Sequence, residues 1–302
     1  MTNRLQHAIG TRFRRIITSD PNGVPPWLAE ISSGADFGLF LPTDAPWQVH
    51  GDLSTLIGGI RALLMQALHP GSLAGVAAHS RYESDPLGRL AGTTKWLTIL
   101  TFGGKQAIDR ESARVNQMHQ RVRGSYQTAT GDEVKYQATD PDLLQWVHVA
   151  FTDSFLRTFQ MYSQDRHLPI ADEYVAKWSA AVTFLGLPSG PQSEAELSET
   201  LASYWKSNQL QVTEQTKRVI AFIKRPPLSK TALLVYGLLF QAALVSIPEP
   251  YREMLGLKCR SKFLVVASAR CLLRAMQLAI GSHSPLEEAA LVRLHNIGAL
   301  ER

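Results

Sequence analysis

The sequence predicts an all-α fold built as a single helical domain, on three observations. Apolar residues recur three and four positions apart along most of the chain after residue 50, the spacing that lines one helix face. No alternation of apolar and polar residues persists beyond a few positions, so no long strand is expected. Helix punctuation also recurs at helix-length intervals: Asp140-Pro141 at a start, Gly103-Gly104 and Gly124 after ends, Pro226-Pro227 between segments. At 302 residues, folding removes roughly three quarters of the unfolded chain's surface from water. A bulky flat cofactor fits inside such an interior.

Residues 1–50 read as an N-terminal arm: a short basic helix around Arg12, Arg14 and Arg15, then PNGVPP and a loop rich in Gly, Asp and Pro. The helical domain then spans 51–302. Asp52 is a candidate N-cap for a helix carrying Leu53, Leu56, Ile57, Ile60, Leu63, Leu64 and Leu68, which stops at His69-Pro70-Gly71. A short helix follows over 73–79, then one over 89–102 and one over 105–123 with Gly124 as its stop. Val134 to Gln137 is the one stretch expected to pair briefly, after a Thr130-Gly131-Asp132 turn. The helix from Pro141 runs to about 162. Later helices are expected over 171–186, 193–207, 211–224, 228–247, 260–281 and 285–300.

The composition is that of a globular protein with a generous interior, 45% hydrophobic and 19% charged. The net charge of +5 leans toward small anionic partners. It gives no case for nucleic acid, because the arginine run lacks interleaved aromatic residues for base stacking. Cys259 and Cys271 are read as lying on one helix about 18 Å apart, beyond disulfide reach. That suits a reducing compartment, and no apolar run follows the paired arginines; a cytoplasmic protein is expected. Residues 231–248 carry no charge and read as a buried central helix. A peripheral membrane contact and a homodimer contact are the less favoured alternatives for that segment.

Several chemistries lack their motifs. There is no GxGxxG, GxxxxGK, GxSxG or HExxH, and no histidine has an acidic residue three positions before it. Histidines remain. His119, between Val115 and Val122, and His148, among Leu144, Phe151 and Phe155, fall on apolar helical stripes. His69 and His79 end helices. A histidine on an apolar face is more often a satisfied core residue than a ligand, and His69 and His79 suit C-terminal caps. Arg89 and Thr93, one turn apart, are by default a solvated pair.

Five motifs in order bear on this choice: HPG at 69–71, HSRY at 79–82, DPLGRLAGTT at 85–94, MHQRVRG at 118–124 and DPDLLQWVH at 140–148. Their order and spacing resemble the family of bacterial latex-clearing rubber oxygenases and fungal MpaB-type oxygenases, most clearly over residues 50–160. The resemblance implies an all-helical, somewhat globin-like fold around a buried haem b, its iron held by one histidine, and O2 as co-substrate. Carried over by position, His119 is the axial iron ligand. Arg89 and Thr93 are the catalytic and haem-pocket pair, and His148 and then His69 are the next candidates for cofactor binding. The rubber-cleaving branch has a lysine directly before the threonine; here that residue is Gly92. The expected substrate is therefore a small hydrophobic, isoprenoid-like molecule rather than the polymer. Two other readings stay open: a haem carrier or sensor without turnover, and a metal-free helical lipid-binding protein walled by 231–248.

Overall fold

Two long helices, α3 (Thr55–Gln66) and α7 (Pro141–Tyr162), form the axis of the molecule and pack against each other along their lengths. The computed structural model describes residues 25–79, 86–128, 130–281 and 284–299, without the side chains of 77–79, 86–91 and 280. Gly58 permits the close approach of the axial pair. A Cβ there would stand 2.7 Å from the Phe155 ring and 2.8 Å from the Thr158 hydroxyl. Pro141 opens α7 in the first turn, where no amide donor is needed, while the Asp140 carboxylate accepts from the Gln137 amide behind it rather than capping the helix. One charged group crosses this interface. Arg61 of α3 is fully buried and donates to the Asp153 carboxylate at 2.5 Å, to the Ser154 hydroxyl at 2.7 Å and to the Ser246 carbonyl at 3.3 Å. Asp153 also accepts from Arg157 at 3.1 Å, so the buried carboxylate joins two guanidiniums.

The remaining helices wrap this axis. Ahead of it lie α1 (Leu28–Ser32) and α2 (Ala45–Gly51); after α3 come α4 (Pro70–His79), α5 (Pro86–Phe102) and α6 (Lys105–Arg121). Following α7 are α8 (Ala171–Trp178), the short α9 (Ala180–Thr183), α10 (Glu194–Lys206) and α11 (Glu214–Lys224). The chain finishes with α12 (Lys230–Ser246), α13 (Glu249–Met254), α14 (Lys262–Ile280) and α15 (Pro285–Asn296). Helix α12 packs on α3, α14 on α12 and α7, and α15 on α1 and α5. A two-stranded antiparallel ribbon, β1 (Arg123–Gln127) and β2 (Glu133–Gln137), pairs Gly124 with Tyr136 and lies against α4. Among the described residues the fold is all-α apart from this ribbon, one domain around one main core.

Several expectations shift in detail. The start of the chain is not a separate arm where it is described: Trp27, Ile31, Phe40, Trp47, Val49 and His50 are buried in or against the main core. The boundary at residue 50 falls inside α2. The basic helix around Arg12 lies outside the described residues. Asp52 does not cap α3; its carboxylate accepts from the Ser54 amide at 2.7 Å and the Ser163 hydroxyl at 2.8 Å, joining the start of α3 to the end of α7. Helix α6 stops at Arg121, because extended Val122 turns the chain into β1, and Gly124 is a strand residue under Tyr136. The helix expected over 171–186 breaks at Ser179. Cys259 precedes α14 rather than sharing it with Cys271, and both thiols are free.

The uncharged segment is buried only in its second half. Leu239, Phe240 and Ala242 to Val245 are core, whereas Leu234 and Val235 are exposed. Among the described residues, no helix is long and apolar enough to cross a membrane.

Candidate functional site

Helices α5 and α6 are joined by Gly103-Gly104 and return on each other. Their register is set by Lys95, which reaches the buried Glu111 carboxylate of α6 at 3.4 Å and Glu30 of α1 at 2.7 Å. Glu111 is further held by Arg114 at 2.5 Å, so two cations neutralise a carboxylate that burial alone would disfavour. From this level His119 lies two turns onward, about 12 Å, while Arg89 lies about 9 Å in the same direction along α5. Arg89 and His119 therefore lie toward the open end of the helical hairpin, and Thr93 lies nearer the Lys95 contact, about 3 Å from its level.

Each helix presents them by simple periodicity. Glu111, Val115 and His119 follow one another at four-residue spacing; the first two are buried and His119 half-buried. On α5, half-buried Thr93 shares its face with Trp96 and with fully buried Leu100. Arg89 lies in the first turn of that helix, one turn before Thr93; its side chain is outside the described residues. The end of α4 approaches the same corner. A Cβ on Gly71 would meet Tyr126 at 3.1 Å and one on Gly75 would meet Val122 at 3.4 Å, so α4 runs along the ribbon toward the end of α6. The side chain of His79, at the end of α4, is likewise outside the description.

His148 and His69 stand elsewhere. His148 is buried in α7 with its Nε2 pressed on Gly190: a Cβ at 190 would lie 2.5 Å from that nitrogen. This buried Nε2 has no hydrogen-bond partner among the described residues. Desolvation lowers the ring's pKa to about 4, so it is neutral at ordinary pH. His69 is fully engaged. Its Nδ1 accepts from the Ser72 amide at 3.4 Å, which leaves the proton on Nε2, 3.5 Å from Asp142. The hydrogen bond from His69 is the chief cause that lowers the Asp142 pKa, with Tyr204 adding a second. Tyr204 and Trp146 enclose the His69 ring, so this histidine is built as a structural joint. Beside it, Asp142, Gln145, Glu199, Ser203, Tyr204 and Gln209 line an open polar depression of about 420 Å³, which contains none of Arg89, Thr93 or His119.

Sequence reasoning missed one histidine altogether. His50 of α2 is buried between Thr101 of α5 and Tyr174 of α8, with Trp178 and Phe155 against its faces. Burial lowers its pKa to about 3. Its neighbours APWQVHG gave no helical stripe to flag it, and its aromatic partners come from far along the chain. The spacing Trp47–His50–Gly51 before a helix start carries no ligand signature either. His50 is a core residue with both ring nitrogens satisfied.

No curated protein and no solved structure matches the chain significantly. A family model does. The model described as "ER-bound oxygenase mpaB/B'/Rubber oxygenase, catalytic domain" matches residues 47–279. That span takes in α5, α6 and α7, and it ends at the close of α14. The chain, over most of its length and including the corner that holds Arg89, Thr93 and His119, belongs to the mpaB/rubber oxygenase catalytic-domain family.

Proposed function

We propose that this oxygenase-family chain is a haem b-dependent enzyme that uses O2 on a small hydrophobic, isoprenoid-like substrate. The observation that supports it most directly is the placement of Arg89 and His119 toward the open end of the α5–α6 hairpin, with Thr93 one turn inward of Arg89 on the same helix. The donor set suits a haem. A half-buried imidazole offers a nitrogen for iron, a hydroxyl one helix away offers a hydrogen bond, and an arginine one turn from it offers a bidentate partner for a propionate. A single histidine suffices for that ligation. The requirement is met without any cluster of three ligands, and none occurs among the described residues.

His119 would hold the iron as a neutral imidazole, its position fixed by the Val115–Glu111 stripe beneath it. Arg89 and Thr93 would hold the propionate side or polarise the bound oxygen, and both sit on a helix whose register Lys95 locks. The haem supplies the oxygen chemistry that side chains cannot. The chain's own task is to orient an alkene beside the cofactor and keep bulk water out. Gly92 stands exposed, with nothing within 4 Å of a Cβ, so this chain offers no side chain from the position where the rubber-cleaving branch has its lysine.

The test is an absorption spectrum of protein purified from haem-replete cells, followed by O2 uptake with short isoprenoid alkenes. A strong Soret band, lost in His119→Ala with helix content retained, supports the ligand assignment. A colourless protein that gains no specific band on haem titration overturns the reading. A haem-loaded protein inert to every alkene points instead to a carrier or sensor.

A further inference from the structure

Charge is distributed very unevenly along this chain. Between residues 215 and 286 fall eleven of its 31 Lys and Arg but only Glu249 and Glu253 of its 26 acidic residues. That stretch is net +9, whereas the whole chain is +5, so all the rest together is net −4. The same stretch holds five of the eleven large apolar side chains that stand exposed among the described residues: Leu234, Val235, Phe263, Leu264 and Leu278. Phe263 and Leu234 are each 79% exposed, far beyond what a packed core leaves out.

The fold brings these features together. Tyr236 of α12 donates to the Ile223 carbonyl, tying α12 to the end of α11, next to Lys224 and Arg225, while Lys230 opens α12 itself. Gln241 of the same helix accepts from the Arg260 amide at 3.0 Å, tying α12 to the loop that bears Lys258, Arg260 and Lys262. Leu234 and Val235 lie on α12 just before the first tie, Leu234 one turn beyond Lys230, and Phe263 and Leu264 follow Lys262 directly on α14, which packs beside α12. Among the described residues none of these six cations forms an ion pair. Exposed aromatic and aliphatic side chains beside cations left free of carboxylates match an interfacial lipid-binding face: apolar groups enter the acyl boundary while ammonium and guanidinium groups stay with anionic headgroups.

We propose that the face built by α12, α14 and their two basic loops seats the protein peripherally on an anionic lipid bilayer. A second copy of the chain is a poorer occupant, because α14 carries Lys262, Arg270 and Arg274 with no acidic residue to answer them. The proposal is independent of haem content, since it concerns a surface and a binding readout that need no cofactor.

The experiment is flotation of the full-length protein with vesicles of phosphatidylcholine, with and without phosphatidylglycerol. Binding to the anionic vesicles alone is expected, weakening as salt screens the cations. Phe263→Glu with Leu264→Glu is expected to lower partitioning about tenfold or more, from the lost apolar insertion. Lys258→Glu or Arg260→Glu alone is expected to lower it by about fivefold or more. Leu168→Glu, at an exposed site outside the basic stretch, is expected to change nothing, with circular dichroism checking the fold of every variant. Three results overturn the proposal: no vesicle binding by the parent, unchanged binding by the Phe263/Leu264 double variant, or a parent dimer that this double variant converts to monomer.

Discussion

Tyr174 donates its phenolic proton to Nε2 of His50 at 2.9 Å, and that direction is forced. The Thr101 hydroxyl gives its own proton to the Leu97 carbonyl at 2.7 Å. It can therefore only accept from Nδ1 of His50, at 2.8 Å. With the ring proton on Nδ1, Nε2 is an acceptor and Tyr174 must be the donor. The bond joins α2 to α8 across the core, and burial pushes the Tyr174 pKa well up, which keeps that proton in place.

Acid should destabilise the protein through its two buried neutral histidines. His50 and His148 have native pKa values lowered by desolvation to about 3 and about 4, against an ordinary value of 6.5. In that window the unfolded chain binds more protons than the native one, so stability is complete above pH ~6.5 and falls as pH drops. Each histidine contributes a slope of up to ~1.4 kcal/mol per pH unit. Urea midpoints measured from pH 7 to pH 4.5 should show it. His50→Gln and His148→Gln, each less stable than the parent at pH 7, should flatten the dependence. A parent whose midpoint does not move across that range contradicts this account.

Asp153→Asn should cost about 3 kcal/mol or more, because it leaves the fully buried Arg61 without its counter-charge. Thermal or chemical unfolding of that variant measures the loss directly. Replacing both residues by apolar ones of similar volume should cost less than the single change, since it removes the unpaired charge as well.

Two glycines should respond in opposite directions. Gly92→Ala, in an exposed helical position with open space around it, should stabilise by about 0.5–1 kcal/mol. Gly38→Ala should destabilise strongly: its φ is +79° and a Cβ would stand 2.1 Å from the Gly103 carbonyl oxygen. The melting temperatures of the two variants should bracket that of the parent.

Gly190→Ala should likewise destabilise, by driving a methyl group into Nε2 of His148. His148→Ala should relieve the clash, so the double variant should be more stable than the sum of the two single effects implies. Additive losses would show that the ring and Gly190 do not press on each other as described.

The helices were legible because burial leaves a 3.6-residue trace, and α7 is the clearest case, from its Asp-Pro start through Leu144, His148 and Phe155. The ribbon was half legible. Of its ten residues only Tyr136 is buried, so no alternation marks β1, and only Val134 to Gln137 hinted at a strand. Spacing alone put His119 on an apolar stripe, where it is half-buried, and gave Thr93 only as a solvated position; the Lys95–Glu111 contact that sets the two helices against each other is a pairing no periodicity announces. His50 was invisible for the same reason: Tyr174 lies 124 residues away. Burial of the early residues escaped notice because Trp27 and Phe40 sit in loop-like sequence and gain a core only from later helices.

Helix α1 has a consequence for how the molecule is made. Trp27 donates to the Thr98 hydroxyl at 3.0 Å, Glu30 pairs with Lys95, and the Ile31 carbonyl accepts from buried Arg293 of α15 at 2.6 Å, 262 residues later. The segment that steadies Lys95 is itself gripped by a helix that is synthesised about 260 residues after it. During synthesis Trp27 and Ile31 wait without their final cover, and contacts this distant in sequence form late. The support beneath the corner bearing His119 is therefore completed only once α15 has been made.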